Sequence, residues 1–171
     1  AQEIAFAPVV FQISHLMVKL GVFEALCNAP EGLTMQEVAT KTQLSDYAVK
    51  ILLESSLSIG TVLLKEGDRF AISKAGWFLL RDKSTRVNME FIQEVCYEGL
   101  FHLEEALKEG KPAGLKVFGS WPTIYEGLSQ LPKKAQEKWF AFVINVNFIW
   151  EDQRKNKLIE LDKPEIFSRT L

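Results

Sequence analysis

The stretch LTMQEVATKTQLSDYAVKILLESSLSIGTVLLKEGDRFAIS, residues 33–73, decides the fold. Thr34 can accept a hydrogen bond from the free backbone N–H of Glu37, whose carboxylate reaches back to the Thr34 N–H, and this reciprocal pair starts a helix over 35–40. Ser45 offers a second N-cap for a helix over 46–58, in which Val49, Leu52, Leu53 and Leu57 recur at the three-to-four spacing of one buried face. Two short capped helices joined by a brief turn make a helix-turn-helix. After Gly60 the period changes. Thr61-Val62-Leu63-Leu64-Lys65 and Arg69-Phe70-Ala71-Ile72 are β-rich runs bridged by Glu66-Gly67-Asp68, which predicts a hairpin, and behind a helix-turn-helix a hairpin is a wing. Ser73 then caps a helix carrying Ala75, Trp77, Phe78 and Leu80.

Toward the N-terminus, Ile4, Phe6, Val9, Val10, Phe11, Ile13, Leu16, Met17 and Leu20 cover more than one face of a helix, so this element needs cover on several sides. Gln12, Ser14, His15 and Lys19 interrupt the run and no basic region precedes it, which argues for a buried helix over a signal peptide or a membrane span. The chain opens on Ala1 rather than Met, and its start is expected to be missing or processed. Gly21 breaks the helix, a short one continues over 22–27, and Asn28, Pro30 and Gly32 make a turn.

Toward the C-terminus, one long helix is expected over 87–109, with Phe91, Val95, Leu100, Leu103 and Leu107 on one stripe and Gly110-Lys111-Pro112 as its stop. Ser120-Trp121-Pro122 is expected to open a helix with proline in its first turn. Leu131-Pro132 opens the next, which carries Trp139, Phe140 and Phe142. Beyond 142 the signs mix, Asp152-Gln153-Arg154-Lys155 reads as a solvated helical face, and Pro164 closes the segment over 158–161. The fold class is mainly α, a winged helix-turn-helix with a two-stranded wing and long flanking helices, divided as a domain over 1–142 and a tail or linker over 143–171.

Composition narrows the function. With 171 residues and 47% hydrophobic content the chain can bury a core, and a net charge of −2 gives no footprint for a polyanion. The helix in the position of a recognition helix offers Asp46, Tyr47, Lys50 and Glu54, and the wing adds Lys65 and Arg69, too few bases for a DNA-binding regulator, which stands as the rival reading. Cys27 and Cys96 lack the Cys-x-x-Cys spacing and read as buried, reduced thiols. His15 and His102 have no Asp or Ser partner in the sequence pattern, so neither reads as a general base. His102 with Glu105 or Glu98 could share a helix face, but two ligands at helical spacing arise by chance. No catalytic residue, metal ligand or cofactor-binding residue is therefore assigned in the chain.

The order of Leu20-Gly21-Val22-Phe23-Glu24-Ala25-Leu26, Leu33-Thr34-Met35-Gln36-Glu37-Val38-Ala39, the helix through Val49-Lys50-Ile51-Leu52-Leu53, Phe70-Ala71-Ile72-Ser73-Lys74-Ala75-Gly76, Leu107-Lys108-Glu109-Gly110-Lys111-Pro112 and Trp121-Pro122-Thr123-Ile124-Tyr125 resembles the N-terminal dimerisation region of S-adenosylmethionine-dependent O-methyltransferases acting on small hydroxylated compounds. The resemblance covers residues 10–142. The reduced thiols fit a cytoplasmic protein, and the resemblance implies a homodimer whose first and later helices interlock two subunits, through Ile4, Phe6, Val10, Phe11, Leu16 and Leu20 and through Phe91, Val95 and Leu103. It also implies that Trp139, Phe140 or Phe142 lines the roof of a substrate pocket. In that family S-adenosylmethionine and the catalytic base belong to a Rossmann-like domain. Here the ten glycines are scattered with no Gly-x-Gly loop after a strand, so the chain is expected not to be catalytic alone. A stand-alone dimerisation module is the third reading. A membrane partner is not implied.

Overall fold

The computed structural model describes the backbone of residues 1–155 and the side chains of 1–147. The chain divides into two compact units, Ala1–Arg86 and a second that begins at Val87.

In the first unit α1 (Gln2–Lys19) and α2 (Val22–Cys27) meet at Gly21, whose φ of 75° is the left-handed conformation a side chain resists. The helix-turn-helix is formed by α3 (Met35–Thr42) and α4 (Asp46–Ile59). The capping box forms as its residue types require: the Glu37 N–H donates to Thr34 Oγ1 at 3.2 Å and the Thr34 N–H to Glu37 Oε2 at 2.8 Å. Ser45 caps α4 by accepting from the Ala48 N–H at 3.2 Å. Gly60 ends that helix at a φ of 82°. β1 (Val62–Lys65) and β2 (Arg69–Ile72) pair antiparallel with Val62 opposite Ile72 and Lys65 opposite Arg69, turning through Gly67 and Asp68, both at positive φ. α5 (Lys74–Arg81) starts on a Ser73 cap.

The core of this unit gathers Met17, Phe23, Leu26, Val38, Val49, Leu53 and Val62, all fully buried or nearly so, with Phe70 and Leu80 closing it. Each comes from an apolar position of its element's period. Two close approaches hold the hairpin in place. Leu33 and Phe70 exchange backbone hydrogen bonds at 2.8 and 2.7 Å, and Gly32 lies so near the Phe70 carbonyl that a Cβ there would stand 2.9 Å from its oxygen. A Cβ on Gly76 would overlap the Thr61 carbonyl oxygen and press on Ile72 and Phe23.

The second unit departs from the single long helix expected over 87–109. α6 (Lys83–Phe91) runs into one π-turn, Ile92–Cys96, marked by a Tyr97 N–H donating to the Ile92 carbonyl at 2.8 Å. A 3-10 turn, Gly99–His102, and α7 (Leu103–Glu109) come next. One extra residue in a turn rotates everything after it by about 100°. The expected stripe is therefore split: Phe91 is buried in the unit's own core and Val95 half-buried, whereas Leu100, Leu103 and Leu107 emerge exposed. The helix expected to open at Ser120-Trp121-Pro122 begins later, as α8 (Ile124–Gly127) after Thr123. The reason is Trp121, whose indole lies against Gly119 and Gly127 where any Cβ would overlap it, and this holds the segment ahead of α8 out of helix. α9 (Lys133–Lys155) starts as expected after Pro132, and its backbone runs through 142/143 without interruption. Pro164 and the end of the expected tail lie outside the described residues. No described helix is long and apolar enough to cross a membrane.

Gly76→Ala should destabilise the chain by about 2 kcal/mol, the cost of forcing atoms into a packed site. Urea denaturation followed by circular dichroism measures it. A variant as stable as the parent would show that α5 and the hairpin do not meet as described.

Candidate functional site

The second unit encloses an apolar cavity of about 110 Å³, partly open to solvent. Its wall is built from irregular turns. The π-turn supplies Val95 and Cys96, the 3-10 turn Gly99, Leu100 and His102, and α7 Leu103 and Ala106. The 3-10 turn Ala113–Val117 supplies Gly114 and Leu115; Pro112, Phe118, Ile124 and Trp139 complete the lining. The glycines let two backbones touch: a Cβ on Gly114 would stand 2.8 Å from the Gly99 carbonyl oxygen. An apolar concavity with few polar groups is the usual form of a small-molecule pocket.

Trp139 is buried and lines this cavity, with Tyr125 edge-on at 6.1 Å and Phe91 tilted at 5.8 Å. Phe142 does not line it; its ring stacks on Phe91 at 3.9 Å. Phe140 is exposed. Trp139 and Phe142, three residues apart, share a helix face and both pack on Phe91, whereas Phe140, about 100° round from Trp139, is exposed. Gly99, Gly114, Leu115 and Phe118 were not singled out by sequence reasoning, and nothing except two isolated glycines marked them.

His102 is the one titratable nitrogen in the wall. Its Nδ1 lies 3.6 Å from Glu105 Oε2, one helical turn on. Glu105 also accepts a hydrogen bond from Lys116 Nζ, and that bond, reinforced by the Lys116 charge, holds its carboxyl below the usual carboxylate range. A second, larger and more polar concavity of about 320 Å³ lies beside Glu94 and Lys134, which pair with each other at 2.6 Å. Among the described residues no group of three His, Cys, Asp or Glu stands together to hold a metal ion.

A different kind of surface lies on α1. Its second half packs into the core at Ser14 and Met17, with Leu16 partly buried against it, while Val10 and Phe11 are intermediate. Its first half is bare: Ile4 is 81% exposed, Phe6 58% and Val9 55%. Leu20 is also exposed. On the wing, by contrast, the bases are engaged within the chain. Lys65 Nζ donates to the Pro30 carbonyl at 2.8 Å, and Arg69 donates to the Gly32 carbonyl and to Glu37 Oε2 at 3.0 Å. Lys50 faces Glu54 at 3.9 Å. Of the bases a winged helix would turn toward phosphates, Lys65 and Arg69 are thus committed to holding the wing.

Residues 1–70 match the family model described as the Dimerisation2-like domain. Likeness extends past it: the acetylserotonin O-methyltransferase of Macaca mulatta is 24% identical over 159 residues, which is 90% of this chain and 45% of that protein. Among solved structures, the S-adenosylmethionine-dependent methyltransferase SibL in its apo form superposes with a TM-score of 0.73 at 22% identity, over 86% of this chain and 43% of that one. Human N-acetylserotonin methyltransferase in complex with SAM gives 0.67 at 21% identity, over 89% and 45%. The fold is shared with these proteins, and the chain spans less than half the length of each.

Burial separates the two cysteines. Cys27 is half-buried, with an Arg81 nitrogen 4.0 Å from its sulfur, whereas burial of Cys96 pushes its thiol up to about 11. At pH 8 about one Cys96 in a thousand is thiolate. Iodoacetamide should therefore modify Cys27 at least tenfold faster than Cys96. Peptide mass spectrometry over time reads both, and equal rates would mean that Cys96 is not enclosed.

Proposed function

We propose that this chain is the dimerisation and substrate-pocket-roof part of a cytoplasmic S-adenosylmethionine-dependent O-methyltransferase, which pairs as a homodimer and does not catalyse methyl transfer by itself. The observation that carries the reading is the bare first half of α1, within the residues that match the Dimerisation2-like model. Contiguous exposed apolar surface on a helix marks a protein contact, and a second copy is the partner that the family's description supports. Ile4, Phe6, Val10, Phe11, Leu16 and Leu20 are the proposed contact on α1. In the second unit Leu103, 51% exposed, and Val95 are the proposed contributors, with Phe91 supporting them from the core.

The cavity lined by Trp139 is the part of this chain that would face a small hydroxylated or aromatic methyl acceptor. Phe140 is exposed enough to join that roof, and Phe142 braces it through Phe91. The relatives by which this reading is supported are named as methyltransferases, one acting on acetylserotonin and one solved with SAM. In the parent enzyme S-adenosylmethionine would supply the methyl group, and nucleophilic attack would come from a substrate hydroxyl deprotonated by a base outside this chain. This chain's contribution would be to hold the acceptor in a dry, shaped space, which turns a collision between two molecules into a reaction of a positioned pair.

Sedimentation velocity at micromolar concentration should show a dimer, and the double variant Ile4→Asp, Phe6→Asp should raise its dissociation constant about 100-fold, the scale of losing an interface anchor. Both side chains are exposed in one copy, so the fold should survive. A parent chain that sediments as a monomer would overturn the dimer. Calorimetry with S-adenosylmethionine should show no heat of binding to the chain, and micromolar affinity would place the cofactor site wrongly.

A further inference from the structure

The cavity of the second unit is apolar except where His102 enters its wall, and the surroundings of that histidine are organised. The Glu105 carboxylate stands 3.6 Å from Nδ1, and Lys116, from the opposite segment of the wall, hydrogen-bonds the same carboxylate oxygen. Lys111, paired with Glu109 at 2.6 Å, adds positive charge around Glu105. A carboxylate that is ionised at neutral pH favours the imidazole tautomer with its proton on Nδ1, because that N–H then faces the negative charge. The lone pair is left on Nε2. His102 lines the cavity with its side chain 33% exposed, so Nε2 is open to a donor that a bound ligand brings.

We propose that His102 is the hydrogen-bond acceptor that orients a ring-sized apolar ligand carrying one hydroxyl or N–H, with Glu105 and Lys116 as the positioning residues that fix its tautomer. The size is right for one ring: the cavity holds about 110 Å³, near the ~150 Å³ of engineered apolar cavities that admit benzene. The inference rests on the reading of this cavity as a small-molecule pocket and adds to it the chemistry of the group the ligand must present. A ligand without a donor would fill the same space but leave its orientation unset.

The chain has two histidines, so His15→Gln leaves His102 as the sole imidazole for nitrogen NMR. Toluene and phenol are the probes. The neutral imidazole should appear as the Nδ1–H tautomer, and Glu105→Gln should shift it toward Nε2–H. Phenol should move the Nε2 resonance, whereas toluene should not. His102→Phe should weaken phenol about tenfold, the value of one hydrogen bond, and leave toluene unchanged. Ala106→Phe, which fills the cavity, should abolish both. If toluene binds but phenol leaves Nε2 unmoved, or if the tautomer is Nε2–H with Glu105 intact, the assignment of His102 falls and the pocket stands. If neither probe binds, the pocket reading falls and takes the assignment with it.

Discussion

The first unit depends on a backbone contact that only glycine permits. Gly76, on the first turn of α5, lies against the Thr61 carbonyl with Ile72 and Phe23 beside it. That approach brings the base of the hairpin to α5 and puts the Phe23 ring at the centre of a core with no exposed surface of its own. Ser73 reinforces it from two directions. Its hydroxyl donates to the Gly60 carbonyl at 2.7 Å and accepts from the Gly76 N–H at 3.2 Å, so a single side chain caps α5 and ties it to the end of α4. With the hairpin fixed, Arg69 is placed beneath Gly32 and Glu37, and a wing that could have reached for an anion braces the capping box of α3 instead.

Much of this was legible in the sequence because it is local. A capping box needs Thr34 and Glu37 at a fixed spacing, a helix stop needs Gly60, and a tight hairpin needs residues such as Gly67 and Asp68 that accept positive φ. These signals survive translation into structure because each acts within three or four residues. The π-turn over Ile92–Cys96 is different. Apolar periodicity measures a mean, and one added residue leaves that mean almost unchanged while turning the next helix to another face. Leu103 and Leu107 thus stood on the stripe with Phe91 in the sequence and lie exposed in the structure, 51% and 76%, while Phe91 is buried.

The candidate site was legible only in part, for a related reason. Trp139 reaches the cavity, but Phe140, the next residue round the helix, is exposed, and Phe142, on the same face as Trp139, stops at Phe91 behind the wall. The rest of the wall comes from segments separated by many residues and joined by the touching backbones of Gly99 and Gly114. No period announces such a contact. Irregular turns build the cavity because regular helices packed at close distance fill the space between them.

His102 and Glu105 show how a spacing acquires meaning only from a third partner. At three residues apart they fit a helix-face pair of metal ligands as well as a simple ion pair. The structure brings Lys116 to the same carboxylate from another segment, and a cation recruited by Glu105 would have to displace an ammonium already bonded to it. Charge that Lys116 satisfies is charge withdrawn from metal binding. What Glu105 retains is its direction toward Nδ1, so the pair is better suited to setting which imidazole nitrogen keeps a proton than to gripping an ion. In a wall whose other side chains are almost all apolar, that one choice of nitrogen is the main polar information the cavity contains.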